Sequence, residues 1–129
     1  MKRSLLSLVT LVIAAIGLLE AQEQAVDLSP YRNRQPVIVV FSADLDDVRP
    51  FSFNLELSSN WARAEARNLA TLDVDEINYD VEVAARQFGL GDRQFAVILI
   101  AKTGEILMIT EDPGALEELF AALDAHREG

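Results

Sequence analysis

The stretch Pro36-Val37-Ile38-Val39-Val40-Phe41-Ser42-Ala43 decides the fold of this chain. It is a near-continuous apolar run rich in β-branched residues, which is typical of a strand that is buried on both faces of its sheet. Residues 95–101 (FAVILIA) form a second run of this kind and predict another buried strand. Strands covered on both faces indicate an α/β sandwich of two or three layers.

The residues that follow the first run predict a helix with one apolar face. Asp46 or Asp47 can cap this helix, and Pro50 is acceptable in its first turn. Apolar or small side chains then recur at steps of three and four, at Val48, Phe51, Leu55, Ser59, Ala62 and Ala66. This period predicts a helix over residues 48–59, or one that continues as far as residue 67.

The rest of the chain alternates further strands and helices. Strands are predicted at residues 69–74, 95–101 and 105–110, and helices at residues 81–88 and from Asp112-Pro113 onward. Gly89 is a typical helix end, while an aspartate followed by a proline is a typical helix start. The last two strands are joined by a short turn, which predicts a hairpin. The predicted order is therefore β-α-β-α-β-β-α.

The N-terminus has the pattern of a secretory signal peptide. Lys2 and Arg3 precede an apolar run over residues 5–19, which is shorter than the roughly 20 residues that a membrane span needs. Ala21 is the predicted cleavage site and Ala25 a second one, with an uncleaved N-terminal anchor as the alternative. We therefore predict an exported protein, periplasmic or extracellular.

These patterns divide the chain into a signal peptide over residues 1–21, a polar lead-in segment over residues 22–34 and one domain over residues 35–129. The formal net charge is −10 for the whole chain. It becomes −11 when residues 1–21, with two basic side chains and one acidic side chain, are removed. Such a charge repels nucleic acid and anionic membrane surfaces, so neither is expected as a partner. We expect a protein or a small-molecule ligand as the partner, and no cofactor.

The composition also excludes one class of reaction, because the chain contains no cysteine. Thiol–disulfide exchange and thiol peroxidase chemistry both need a thiolate as the nucleophile. A domain without cysteine cannot perform either reaction, whatever its fold.

Four stretches carry a resemblance to a known family: residues 35–41 (QPVIVVF), 88–90 (FGL), 94–104 (QFAVILIAKTG) and 115–124 (ALEELFAALD). They resemble the secreted domain-of-unknown-function family 4174, and the resemblance covers residues 27–127. It implies a thioredoxin-like α/β fold, distantly similar to peroxiredoxins, with a central mixed sheet and flanking helices. Since no activity is established for that family, it implies no catalytic residue. Thioredoxins carry two cysteines at the start of the first helix, where this chain has Asp46 and Arg49.

Acidic side chains follow the first two predicted strands. Ligands of open α/β sheets bind at the carboxyl ends of the strands, and oxygen-rich clusters suit Ca²⁺ or Mg²⁺. If the two strands are parallel neighbours, these side chains lie at one edge of the sheet, as ligand or metal candidates. Solvated loops and helix caps are the alternative interpretation. The acidic candidates are Asp44, Asp46 and Asp47 after the first strand and Asp73, Asp75 and Glu76 at the end of the second.

Two basic side chains also have more than one interpretation. Arg49, at the start of the first helix, can bind an anion beside the helix N-terminus or pair with a nearby aspartate. His126 lies in the last turn of the final helix, where a cation suits the helix dipole, and it is not expected to be a catalytic base.

The sequence therefore favours a non-enzymatic binding or interaction module. A metal-dependent or other non-thiol activity at the acidic strand ends is the alternative, and a subunit that functions only in an oligomer is a third possibility. A contiguous exposed apolar patch would favour the first or the third of these. A pocket with strongly shifted carboxylate pKa values would favour the second.

Overall fold

The computed structural model describes residues 25–128. The predicted signal peptide and the cleavage site after Ala21 lie outside these residues. None of the helices within that range has both the length and the apolar character required to cross a membrane.

The described residues form one four-stranded mixed sheet with helices on both sides. The strand order is β2-β1-β3-β4; β2 is parallel to β1, whereas β3 is antiparallel to β1 and β4 is antiparallel to β3. This is the predicted mixed sheet with flanking helices. The elements are β1 (Val37–Ser42), α1 (Arg49–Ser59), α2 (Trp61–Ala66), β2 (Ala70–Val74), α3 (Val81–Gln87), β3 (Phe95–Ile100), β4 (Ile106–Thr110) and α4 (Leu116–Glu128).

The two apolar runs form the central strands and separate two hydrophobic clusters. All six residues of β1 and all six of β3 are buried. Because side chains alternate along a strand, Ile38 and Val40 enter the cluster that contains residues of α1, α2 and α4. Val37, Val39 and Phe41 enter the opposite cluster, which contains residues of α3. The domain therefore has three layers.

The first predicted helix is two helices in the structure, α1 and α2, separated by Asn60. The Asn60 side-chain amide donates a hydrogen bond to the Glu56 carbonyl at 2.9 Å. A short polar side chain that bonds the backbone in this way competes with the regular helical ladder. Asn60 has φ −117° and ψ 23°, so the helix direction changes there instead of continuing to residue 67.

The predicted apolar face of α1 is not the face that packs on the sheet. Phe53 and Leu57 are the buried side chains of α1, and both join the cluster around Ile38 and Val40. Val48, Phe51 and Leu55, three and four residues apart, are exposed instead. Both faces of this helix carry large apolar residues, so the period alone selected the wrong one.

The last helix begins later than predicted. The Asp112 carboxylate accepts a hydrogen bond from the Gly114 N–H at 2.8 Å, and α4 starts only at Leu116. Asp112 and Pro113 therefore form a separate turn before the helix rather than its first turn.

The end of the lead-in segment packs against the domain. Val26 is buried, and its N–H and carbonyl form a reciprocal pair of hydrogen bonds with the Gln87 side chain, at 2.8 and 2.9 Å. Leu28 and Tyr31 contact the same cluster as Val26. These contacts cover the α3 side of the sheet ahead of β1.

Candidate functional site

The two acidic loops leave the same edge of the sheet. Phe41, near the end of β1, lies opposite Val74, the last residue of the parallel strand β2. The loop after β1 and the loop after β2 therefore start next to each other. We call this side of the domain the carboxyl edge.

In the loop after β1, the aspartates bond mainly to their own loop. The Asp44 carboxylate accepts the Asp46 backbone N–H at 2.9 Å. The Asp47 carboxylate accepts hydrogen bonds from the Arg49 side chain, at 3.0 Å to Nε and 2.7 Å to Nη2, and from the Arg49 backbone N–H at 3.0 Å. Of the two interpretations of Arg49, the structure shows the ion pair with an aspartate.

This ion pair sets the protonation of both partners. Hydrogen bonds from Arg49, with a smaller contribution from its charge, hold the pKa of Asp47 below its usual range despite the burial of the carboxyl. The same bonds raise the pKa of Arg49 above its usual value. The Arg49 guanidinium also stacks on Phe95, 5.1 Å from the ring centroid. Asp47 and Arg49 thus anchor the start of α1 to the core.

The loop after β2 has a similar local network. The Asp73 carboxylate accepts a hydrogen bond from the Asn54 side chain at 3.1 Å, which links α1 to the end of β2. The Asp75 carboxylate accepts the Ile77 backbone N–H at 2.9 Å. Among residues 25–128, no three His, Cys, Asp or Glu side chains are arranged to hold one metal ion. The carboxyl edge therefore brings the acidic loops together without a cation cage in the described chain.

Large apolar side chains are exposed between and beside these carboxylates. The exposed face of α1 lies next to Asn54, and so next to the acidic end of β2. We define the carboxyl-edge surface as these apolar residues together with the acidic residues Asp44, Asp46, Asp73, Asp75 and Glu76. Its apolar residues, with their exposed fractions, are Leu45 (51%), Val48 (72%), Phe51 (71%), Leu55 (58%) and Ile77 (77%).

We expect Asp47→Asn to destabilise the protein by about 1 kcal/mol at pH 7, since asparagine keeps an acceptor for the helix N–H but loses the ion pair. A carboxyl whose pKa is lowered by folding adds stability above its unfolded pKa of about 3.9, and this stability is lost as the pH falls through the folded pKa. The difference from wild type in urea melts should therefore shrink below about pH 4.

The matched control for this measurement is Asp46→Asn. No side-chain hydrogen bond of Asp46 is present within residues 25–128, so this change should alter stability by less than about 0.5 kcal/mol. An Asp47→Asn deficit of equal size at pH 3 and pH 7 would show that the carboxylate charge is not its source.

A second feature, at the opposite edge of the sheet, was not found from the sequence. A cavity of 370 Å³ lies beside the start of β1, the start of β2 and the end of β3. Its position in four chain segments hides it from any local motif search. The signal that could have revealed it is the distribution of cations: nine Lys and Arg residues lie in residues 25–128, and four of them line the cavity with the only histidine. The lining residues are Arg34, Pro36, Arg67, Asn68, Ala101, Lys102, Thr103, Leu123, His126 and Arg127.

The fold is similar to that of several solved peroxiredoxin structures. The reduced 2-Cys peroxiredoxin of Plasmodium vivax superimposes with a TM-score of 0.62 at 14% identity, over 80% of this chain and 83% of that one. Thioredoxin peroxidase I of Plasmodium yoelii gives a TM-score of 0.63 at 17% identity, over 80% and 79%. PrxQ of Xylella fastidiosa gives 0.55 at 18% identity, over 79% and 83%.

These likenesses show a thioredoxin- and peroxiredoxin-like fold, as the sequence predicts. At such low identities the similarity extends to the fold and not to the activity. No family model matches the sequence of this chain, and no curated protein matches it. The absence of cysteine separates this domain chemically from a 2-Cys peroxiredoxin.

Proposed function

We propose that this chain is an exported protein-binding module on a thioredoxin-like fold, related to the secreted domain-of-unknown-function family 4174. Its binding site is the carboxyl-edge surface, and it works without thiol chemistry. One observation carries the proposal: Val48, Phe51 and Leu55 form a contiguous exposed apolar face on α1, although Phe53 and Leu57 already supply the face that packs on the sheet.

The apolar face favours binding because exposed side chains of this size gain free energy when they are covered. Complete burial of one Val, Leu or Phe side chain is worth about 1.5–3 kcal/mol. Single exposed apolar residues are common on soluble proteins, whereas contiguous patches mark interaction surfaces. Phe51 lies between Val48 and Leu55 in chain order and is its largest member, so we expect it to be the main anchor.

The charges around the face define the partner. Within residues 25–128, no Lys or Arg lies within ion-pair distance of the acidic members of this surface, unlike Asp47, which pairs with Arg49. A partner that presents an apolar ridge flanked by Lys or Arg would therefore be attracted to it. A second copy of this chain would present the same negative charges, so like-charge repulsion disfavours self-association through this surface.

Export is supported by the N-terminal pattern of Lys2 and Arg3, an apolar run and small residues at the predicted cleavage sites. The relation to family 4174 is supported by the quoted stretches, which include most of β3 and the first part of α4, and by the thioredoxin-like fold that the family implies. An alternative metal-dependent activity has no support from the arrangement of side chains in the described part of the chain.

The test compares the wild-type protein with Phe51→Ser/Leu55→Ser in affinity capture from the exported fraction, followed by titration of the purified partner. We expect the Kd to rise at least about tenfold in the double variant, because two apolar anchors are lost. The matched control is Ile106→Ser, which changes an exposed apolar residue on β4, at the other edge of the sheet. It should change the Kd by less than about twofold.

Two results would contradict this proposal. The first is a partner whose Kd is the same for the double variant and for wild type, which would place binding elsewhere. The second is a concentration-dependent dimer in sedimentation that the double variant abolishes, which would make a second copy of the chain the occupant of the surface.

A further inference from the structure

We infer that the cavity at the amino edge of β1 and β2 is a binding site for a small organic dianion, such as a phosphate monoester, whose body is partly apolar. This cavity lies at the opposite end of the strands from the carboxyl-edge surface. The two sites are therefore independent, and either can fail a test without the other.

The charge of the cavity is opposite to that of the chain. No acidic residue is among its lining residues, although the chain has 21 Asp and Glu and only 11 Lys and Arg. Arg67 is paired with Asp124 at 2.8 Å, and His126 lies 3.8 Å from Glu105. With Asp124 counted against Arg67, three lining cations remain, Arg34, Lys102 and Arg127, and none has an ion-pair partner within residues 25–128.

A helix terminus does not account for this concentration of cations. His126 and Arg127 lie in the last turn of α4, where they interact favourably with the negative end of the helix dipole. Arg34 and Lys102, by contrast, lie in the segments before β1 and after β3, outside any helix. Their charges are brought to the cavity by the tertiary fold and remain available to an anion.

Hydrogen bonds hold the rim of the cavity in place. The Asn33 N–H donates to the Lys102 carbonyl at 2.6 Å, and the Gln35 side chain donates to the Asn68 carbonyl at 3.1 Å. The Arg67 side chain is fixed by two hydrogen bonds to Asp124, at 2.9 and 2.8 Å. A preformed rim reduces the entropy that a ligand would lose on ordering the site.

The backbone of the rim is unusual in the same place. Within residues 25–128, the only non-glycine residues with positive φ are Asn33, at 62°, and Asn68, at 57°. Asn68 lines the cavity, and Asn33 immediately precedes Arg34. Left-handed backbone at non-glycine residues tends to be retained at binding sites. This observation is independent of the charges and selects the same location.

The shape and the floor of the cavity indicate the class of ligand. A volume of 370 Å³ is at the lower end of the range for small-molecule sites. Pro36, Ala101 and Leu123 contribute apolar surface, and arginine guanidinium groups match phosphate oxygens in bidentate geometry. Long polyanions such as nucleic acid would meet the acidic remainder of the surface, so the ligand is small.

The test is an NMR titration of the full chain with phenyl phosphate in a buffer free of phosphate. We expect saturable shifts of backbone amides confined to the cavity lining, with a Kd of about 1 mM or tighter. Inorganic phosphate, which lacks the apolar body, and benzyl alcohol, which lacks the charge, should each bind at least about tenfold more weakly.

Arg34→Gln/Arg127→Gln should weaken phenyl phosphate binding at least about tenfold, because charge-assisted hydrogen bonds are lost. Both side chains are exposed, so we expect the melting temperature to stay close to that of wild type. The charge-matched control, Arg86→Gln/Arg93→Gln, lies outside the cavity and should change the Kd by less than about twofold.

Three results would overturn the inference. They are the absence of saturable binding at about 10 mM phenyl phosphate, an unchanged Kd in the Arg34→Gln/Arg127→Gln variant, and benzyl alcohol binding as tightly as phenyl phosphate. Inorganic phosphate binding as tightly as phenyl phosphate would also contradict the partly apolar ligand.

Discussion

Replacing Phe53 with alanine lowers the free energy of unfolding by about 3–5 kcal/mol, whereas the same change at Phe51 alters it by less than about 1 kcal/mol. Phe53 is fully buried between α1 and the sheet, so alanine there leaves a cavity in the main cluster. Phe51 projects from the outer face of α1 and is 71% exposed. In a domain of this size, the Phe53 variant should melt at least about 12 °C below wild type.

The measurement is urea denaturation of both variants, with the slope against denaturant checked for constancy so that the midpoints report stability. Leu57→Ala and Leu55→Ala form a second matched pair one turn further along α1, one buried and one exposed. Equal losses at Phe51 and Phe53 would mean that α1 packs with the face that the hydrophobic period alone predicts.

We expect a loss of similar size, about 3–5 kcal/mol, from Phe120→Ala on α4. Phe120 is buried, and the guanidinium carbons of Arg67 and Arg63 lie 4.3 and 4.9 Å from its ring centroid. The ring therefore contributes apolar burial and two cation–π contacts that connect α2 to α4. Phe120→Leu retains most of the burial but loses the contacts with the cations, and should cost about 1–2 kcal/mol.

A double-mutant cycle between Phe120→Leu and Arg67→Gln separates the two contributions. If the guanidinium interacts with the ring, the cycle should show a coupling energy of about 0.5–1 kcal/mol. Arg86→Gln, on α3, replaces Arg67→Gln in the control cycle and should show no coupling. A coupling energy within error of zero for both arginines would mean that Phe120 acts through burial alone.

Much of the fold could be predicted because the sequence repeats its signals locally. A run buried on both faces, a turn and a hairpin each depend on neighbouring residues, and β1, β3 and the turn at Gly104 follow this pattern. The order of strands and helices was predicted correctly apart from the division at Asn60. The late start of α4 was missed because Asp112 bonds to Gly114 in a turn that has the same composition as a helix cap.

The candidate sites were less predictable, because each depends on where separate segments meet. The acidic loops were found because both directly follow strands, and their position at one edge depends only on β1 and β2 being parallel. The basic cavity was missed because Arg34, Arg67, Lys102 and Arg127 are isolated in the sequence. A net charge summed over the chain conceals such a local reversal of sign.

The sequence by itself determined that this domain performs no thiol chemistry, because composition excludes a thiolate in any fold, and that its centre is a sheet covered on both faces. Only the tertiary structure decided which face of α1 is buried. Both faces are apolar, and the choice depends on distant contacts, the stacking of Arg49 on Phe95 and the hydrogen bond from Asn54 to Asp73. The tertiary structure also decided the two candidate sites, since charges and apolar groups from separate segments act together only when folding brings them within a few ångströms.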